Sequence, residues 1–545
     1  MTTYYIDNKS GNDALDGRSP QSARKNYTDL SLKKGDEVLF KRGSFYRDKL
    51  HALPYVSYGA YGDGEAPTFC GSTEVSGEEN WVLTERENVW KCRKLIPGDV
   101  GNMLLGDGLY GTFRWELDEL ASEGDFYDAR SILGDCFKQD NEPSLYLYSQ
   151  GNPAAKYPHI EAISYNTRQL VKLGDGMSFD SLRFINSGVH GMAGNGDHIT
   201  VRNCSFENIG GCAWSHELRI RFGNGFEIWE RGDDILIENC SFKSVYDSCV
   251  THQGPGEETK PAERFICRGC HFDTYGMAAF EYRDKLPIDS AFVGNTCIGA
   301  GCGFAMLGEE LPRRSEIWPQ PMGHHIFMWR IDHATDGGSL EIRDNHFGPA
   351  PVGAAIYSII SPEAEAQVTL ENNLYTENAT LLNRFGGENF CDLDTYKAKS
   401  GQDKNSRYIK SKKKIKGLVS TIILGVCLLI ALFFASRLLS VDLQEALEQM
   451  SQSASNAVGS FENAGEMELV YLLAASIGVI AVTIAAYIIA IMTLVSCAVP
   501  LIFSIRNIKA ENTAIKIINI VYTVLFSSGV FLSLTKMLLF YLGVG

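Results

Sequence analysis

Glu227 and Glu281, with His252 between them, are the residues whose type and spacing best fit paired acid–base work. Each glutamate precedes a recurring motif, Glu227 by 13 residues before Cys240 and Glu281 by 15 before Thr296, which puts both on equivalent strands of a repeat. Phe226 and Ile228 alternate with Glu227 and Trp229, and Phe280 precedes Glu281, so both carboxylates are expected to point outward. One strand carrying Thr251, His252 and Gln253 intervenes. At about 4.8 Å per stacked strand the two glutamate Cα atoms are expected roughly 10 Å apart. Inverting glycoside hydrolysis uses two carboxyl groups about 6.5–9.5 Å apart, one protonating the leaving oxygen and one activating water. His252 joins the pair as an orienting or proton-moving group, with its direction left open: if Val250 faces inward, so does His252, and Thr251 and Gln253 face out.

Around this trio lie residues suited to holding a sugar. Trp214, Trp229 and Trp318, with Tyr282, offer aromatic faces on which sugar C–H groups pack. His216, Arg221, Asp247, Gln253, Arg283 and His325 offer polar contacts to hydroxyls. A lyase is the alternative chemistry, with Arg283 or His252 taking a proton beside a uronate carboxylate and Ca²⁺ neutralising charge. Asp233-Asp234 is the acidic pair nearest to such a role, but it opens the strand Ile235-Leu-Ile237 and reads as a turn. No cofactor and no metal site is otherwise expected. A third reading is a non-catalytic, membrane-tethered sugar-binding or scaffold protein that uses the same groove.

What must position these residues is a repeat of apolar, polar, Asn, Cys or Asn, any, aromatic. It runs as Val201-Arg-Asn-Cys-Ser-Phe206 and Ile237-Glu-Asn-Cys-Ser-Phe242, with looser copies ending at Phe184, Phe272, Ile298, Phe347 and Tyr375. The steps between these ends are 22, 36, 30, 26, 49 and 28 residues. Twenty-two residues supply three short strands and three turns, the unit of a parallel β-solenoid. The recurring Asn and Cys are then structural, including the CxxC at Cys267 and Cys270. Coils longer than the minimum carry added loops at 210–223, 254–262 and 307–329, which are expected to wall a groove over one strand face.

These repeats, together with the opening Tyr4-Tyr-Ile-Asp-Asn-Lys-Ser-Gly-Asn-Asp13, then Asp16-Gly17, Ser19-Pro20 and Gly35-Asp-Glu-Val-Leu-Phe-Lys-Arg-Gly43, carry a family resemblance. So do Arg221-Phe-Gly-Asn-Gly-Phe-Glu-Ile-Trp229 and Val245-Tyr-Asp-Ser-Cys-Val-Thr-His-Gln-Gly254. Over residues 3–390 the chain resembles the right-handed parallel β-helix proteins of the pectate-lyase-like superfamily, most of which act on or bind carbohydrate. The resemblance implies an all-β right-handed parallel β-helix with an N-terminal cap and a carbohydrate partner. It departs at Ala23-Arg24-Lys25-Asn26, where relatives commonly carry an aromatic residue and Ser or Thr.

Composition divides the 545 residues. Residues 401–545 hold 12 Lys and Arg against 8 Asp and Glu, leaving 38 against 58 in residues 1–400, so the tail is +4 and the body −20. A body this acidic repels phosphate backbones, and no nucleic-acid partner is expected. The 14 cysteines are read as reduced thiols. Apolar runs at 417–439, 469–499 and 515–542 are each long enough to cross a bilayer, giving an expected all-α segment of three transmembrane helices. Lysines at 410–416 and Arg506, Lys509 and Lys516 belong on the inner side, so the N-terminal domain of this multi-pass protein is expected to be cytoplasmic. The expected division is 1–400 β-helix, 401–416 basic linker and 417–545 membrane domain.

Overall fold

A computed structural model describes residues 1–106, 108–128, 142–165, 168–308, 323–376 and 381–409, with residues 448 and 452. The chain divides into two units, Met1–Lys410 and Ser411–Gly545. The three expected membrane spans lie outside the described residues, and among the described residues no helix is long and apolar enough to cross a membrane.

The first unit is built of long parallel sheets visited in turn. Strand Thr200–Arg202 belongs to the first sheet, Ser205–Ile209 to the second and Phe226–Trp229 to the third, and Ile235–Glu238, Ser241–Val245 and Ser248–Gln253 repeat the circuit one rung on. The first two sheets hold ten strands each and the third nine, which is the topology of a parallel β-solenoid. Closing the third sheet, Glu388–Phe390 pairs antiparallel with Asn383–Phe385.

The aromatic ends of the repeat form one inward column of the second sheet. Phe184, Phe206, Phe242 and Phe272 are in register, with ring centroids 5.5, 4.6 and 5.2 Å apart in succession. The next member is Cys297, paired with both Phe272 and Phe347, and not Ile298. The expected steps of 26 and 49 are therefore 25 (297−272) and 50 (347−297).

Steric chemistry explains the Asn and Cys of the motif. The third motif position is a left-handed corner, occupied by Asn203 (φ 51°), Asn239 (53°), Gly269 (64°), Gly294 (64°), Asp344 (59°) and Asn372 (55°). Asn, Asp and Gly tolerate that conformation best. The next position turns into the core. There Cys204, Cys240 and Cys270 give way to Asn295, Asn345 and Asn373, whose amides bond along the axis, Asn295 Nδ2 to Asn345 Oδ1 at 3.2 Å and Asn345 Nδ2 to Asn373 Oδ1 at 3.1 Å. All the described cysteines are free thiols.

Two features depart from the expected division. Between second-sheet strand Thr68–Cys70 and third-sheet strand Gln169–Leu173 the chain leaves the coil to build a five-stranded and a three-stranded sheet, mostly antiparallel. This insert has its own core of Trp81, Met103, Trp115, Phe126 and Leu147. At the other end, Arg407–Ile409 pairs with Leu374–Thr376, so the solenoid continues into what reads in the sequence as linker.

Candidate functional site

Glu227 and Glu281 occupy one outward column of the third sheet. Lys172, Ala193, Glu227, Thr251, Glu281, Phe327 and Tyr357 pair in succession, with Thr251 as the single rung between the glutamates. Two rungs of about 4.8 Å put their Cα atoms about 10 Å apart. Both line one cavity of about 550 Å³, Glu227 being 9% and Glu281 3% exposed.

Neutral donors hold each carboxylate. Glu227 Oε2 accepts from Asn224 Nδ2 at 2.6 Å and from Gln253 Nε2 at 2.9 Å, and its Oε1 has no hydrogen bond among the described residues. Both amides are oriented independently of the glutamate: Asn224 Oδ1 accepts the Ser248 N–H at 3.0 Å, and Gln253 Oε1 accepts from Arg283 at 2.6 Å. Their NH₂ groups must then face Glu227. Glu281 Oε1 accepts from Trp329 Nε1 at 2.7 Å, and its Oε2 meets the Ser248 hydroxyl at 3.1 Å. Arg283 lies 5.0 Å over the Trp329 ring, so one indole both holds Glu281 and backs the guanidinium that orients Gln253.

His190 completes the surroundings of Glu227. Its Nδ1 accepts the Asn224 N–H at 3.2 Å and lies 3.5 Å from Glu227 Oε2. Burial pushes its pKa below the ordinary value of 6.5, against a smaller upward pull from Glu227. The ring is therefore neutral at pH 7, with its proton on Nε2.

The expected ligand-holding residues divide. Trp214, Trp229, Asp247, Gln253 and Arg283 line the cavity with the two glutamates. Trp214 comes from the antiparallel hairpin Cys212–Ser215 and Ile220–Phe222, which fills the expected 210–223 insertion and forms one wall. Trp229 is 36% exposed, an aromatic face available to a ligand. Trp318 lies outside the described residues.

Five others are placed elsewhere. His252 and Tyr282 pair with Ile228 and Met328 in the inward column, so His252 lies inside the coil with its pKa lowered by burial to about 4. Both are corrections: Val250 and Phe280 face the core, and strand alternation carries His252 and Tyr282 in with them. His325 is also interior, bonded to Tyr275 Oη at 2.5 Å and to the Gly348 carbonyl at 2.8 Å. His216 bonds the Trp115 carbonyl at 2.5 Å. Arg221, likewise buried, donates to the Gly211 and Gly101 carbonyls at 2.6 Å each, with Phe113 and Tyr246 on its faces. His216 and Arg221 thus join the insert to the coil. Asp233 and Asp234 are turn residues: Asp233 accepts the Glu263 N–H, and Asp234 pairs with Arg264 and His198.

Sequence reasoning missed His190, Asn224 and Ser248, which act from the starts of their strands or, for Asn224, from two residues before one, and not from the glutamate column it followed. The signal available was Asn224-Gly225 before Phe226 and Asp247-Ser248 before Cys249, polar residues at equivalent corners of successive coils. No family model matches this chain, and no curated protein matches it.

Proposed function

We propose that this is a carbohydrate-active protein, a glycoside hydrolase working through Glu227 and Glu281. The observation that carries the reading is two carboxylates two rungs apart on one outward column, in a single cavity that Trp229 and Trp329 also line. Side chains spanning about 10 Å of Cα separation reach the 6.5–9.5 Å carboxyl spacing of inverting enzymes, with room for water between.

The hydrogen bonding supports one division of roles, Glu227 as base and Glu281 as acid. The partners of Glu227 Oε2 are two amide NH₂ groups, which only donate, so that oxygen accepts and carries no proton. Its Oε1 is left to take a proton from water. A hydroxyl faces Glu281 Oε2, and a hydroxyl donates or accepts, so a protonated Glu281 is accommodated there as the acid. Lyase chemistry gains less support: Arg283 is bonded to Gln253 and lies 3.4 Å from Asp284, and His252 is interior.

Around this centre the reading includes a right-handed winding of the coil, the hand that parallel crossovers take in about 98% of cases, and kinship with the pectate-lyase-like β-helices. It also includes anchorage by three spans within 417–545, with the first unit cytoplasmic.

Full-length protein assayed against an oligosaccharide panel for new reducing ends tests the hydrolase reading. Glu227→Gln and Glu281→Gln are each expected to lower turnover by about 10²–10⁴-fold while leaving binding intact. Undiminished turnover in both variants refutes the pair, and binding without turnover in the parent protein leaves a sugar-binding scaffold.

A further inference from the structure

Resting on the hydrolase reading, we infer that the site takes the free end of a saccharide chain and releases a product about one sugar long. The outward column of the third sheet is open on one side of the acid pair and filled on the other. Beyond Glu281 the next residue is Phe327, which packs with Met277, Ala278 and Trp329 in a separate apolar cluster whose members are at most 7% exposed. Tyr357, one rung further, packs against that cluster. Among the described residues the strand Ile356–Ile359 contributes nothing to the cavity, whose lining at this end stops at Glu281, Met277, Arg283 and Trp329.

On the other side the column opens. Before Glu227 stands the small Ala193, then Lys172, which is exposed and lines the cavity with Arg168, also exposed. The column stays buried from Phe327 through Glu281, Thr251, Glu227 and Ala193, none more than 9% exposed, and reaches the surface at the exposed Lys172. A chain threading past the acids needs an exit at both ends, and the Phe327 cluster blocks one. A pyranose advances its chain by roughly one rung, about 4.8 Å. Phe327 follows Glu281 with no strand between them, so the closed end leaves room for one sugar at the acid pair, over the Thr251 rung, and the Ala193 and Lys172 rungs hold the chain that leads away. A volume of about 550 Å³ lies within the range of small-ligand sites.

In hydrolysis from this geometry, water adds to the anomeric carbon as the glycosidic bond breaks. The water proton goes to Glu227 and the proton of Glu281 goes to the departing oxygen, so no other reactant is needed.

The test uses the full-length protein on linear soluble polysaccharides, neutral and uronate-containing, each unmodified or capped at one or the other chain end. Expected is steady release of a one-unit product while the polymer keeps its length, abolished by capping one particular end. Phe327→Ala, which hollows the closed end, is expected to shift the product towards two units. Rapid shortening of the polymer, or release indifferent to both caps, overturns end-recognition and leaves the hydrolase reading standing. No hydrolysis of any chain overturns the hydrolase reading and this inference with it.

Discussion

Single atoms decide whether the outward carboxylates can work, and the amides around Glu227 are the most informative. Gln253→Leu removes one of two hydrogen bonds to its Oε2 and leaves Arg283 without that acceptor. Hydrogen bonds to charged groups contribute about 1.5–3 kcal/mol. If that stabilisation favours the ionised base, turnover is expected to fall about tenfold or more, with a smaller change in KM. Steady-state kinetics beside Asn224→Ala, which removes the other bond, checks this; unchanged kcat in both excludes a positioning role. The interior histidines make a separate prediction about acid. Burial lowers His252 to about 4, His324 to about 3 and His325 to about 4. His325 illustrates the cause: Nε2 must donate to the Gly348 carbonyl, so Nδ1 accepts from Tyr275, leaving no site for a second proton. Because the folded values lie below the ordinary 6.5, the unfolded chain takes up protons first as pH falls. Stability is thus full above about 6.5 and declines towards pH 4, by on the order of 2 kcal/mol per histidine at pH 5. Thermal unfolding across pH 7.5 to 4.5 measures it, and His252→Gln should flatten the slope.

Elements show why the sequence was legible in one part and opaque in another. Every coil presents the same inward slot of the second sheet, so Phe184, Phe206, Phe242 and Phe272 repeat visibly. Where a thiol fills the slot, at Cys297, the neighbouring Ile298 mimics the aromatic and the register slips by one. The glutamate column was legible because its alternation with Phe226, Ile228 and Phe280 is strict, whereas His252 required knowing which way Val250 points. The insert carries no repeat at all. Its strands obey local alternation and pair mainly with one another, so nothing in the sequence period announces them. Arg221 is the test of how that insert is held. The side chain reaches Gly101 in the insert and Gly211 in the coil's hairpin loop, between two aromatic rings. Arg221→Met keeps the stem but removes both charged bonds, and about 2–4 kcal/mol of docking is expected to go with them. Hydrogen exchange should quicken across 99–105 and 211–222 and stay unchanged near Phe347; uniform quickening throughout would instead mean that the insert and coil unfold together.

At the scale of the whole first unit, stability is organised along one axis, because each coil bonds chiefly to the coil before and the coil after. In such an array the local stabilities and neighbour interfaces add nearly one-dimensionally, so damage at a central coil divides the stack. Phe242 sits at the middle of the aromatic column, wholly buried, with Phe206 4.6 Å and Phe272 5.2 Å away. Phe242→Ala is expected to cost about 3–5 kcal/mol through lost burial and the cavity left behind. The acid pair straddles this position: Glu227 belongs to the coil of Phe206, and Glu281 to that of Phe272. Loosening the coil between them should widen the spacing of the carboxylates before the ends of the solenoid respond. Activity is therefore expected to be lost at a lower denaturant concentration than ordered structure in the variant, while the two losses coincide in the parent protein. Phe347→Ala, four rungs along the same column from Phe206, removes a comparable ring and should leave that coincidence intact. If both variants lose activity and structure together, the coils unfold as one cooperative block, and the spacing of Glu227 and Glu281 is fixed by the whole stack and not by the single rung between them.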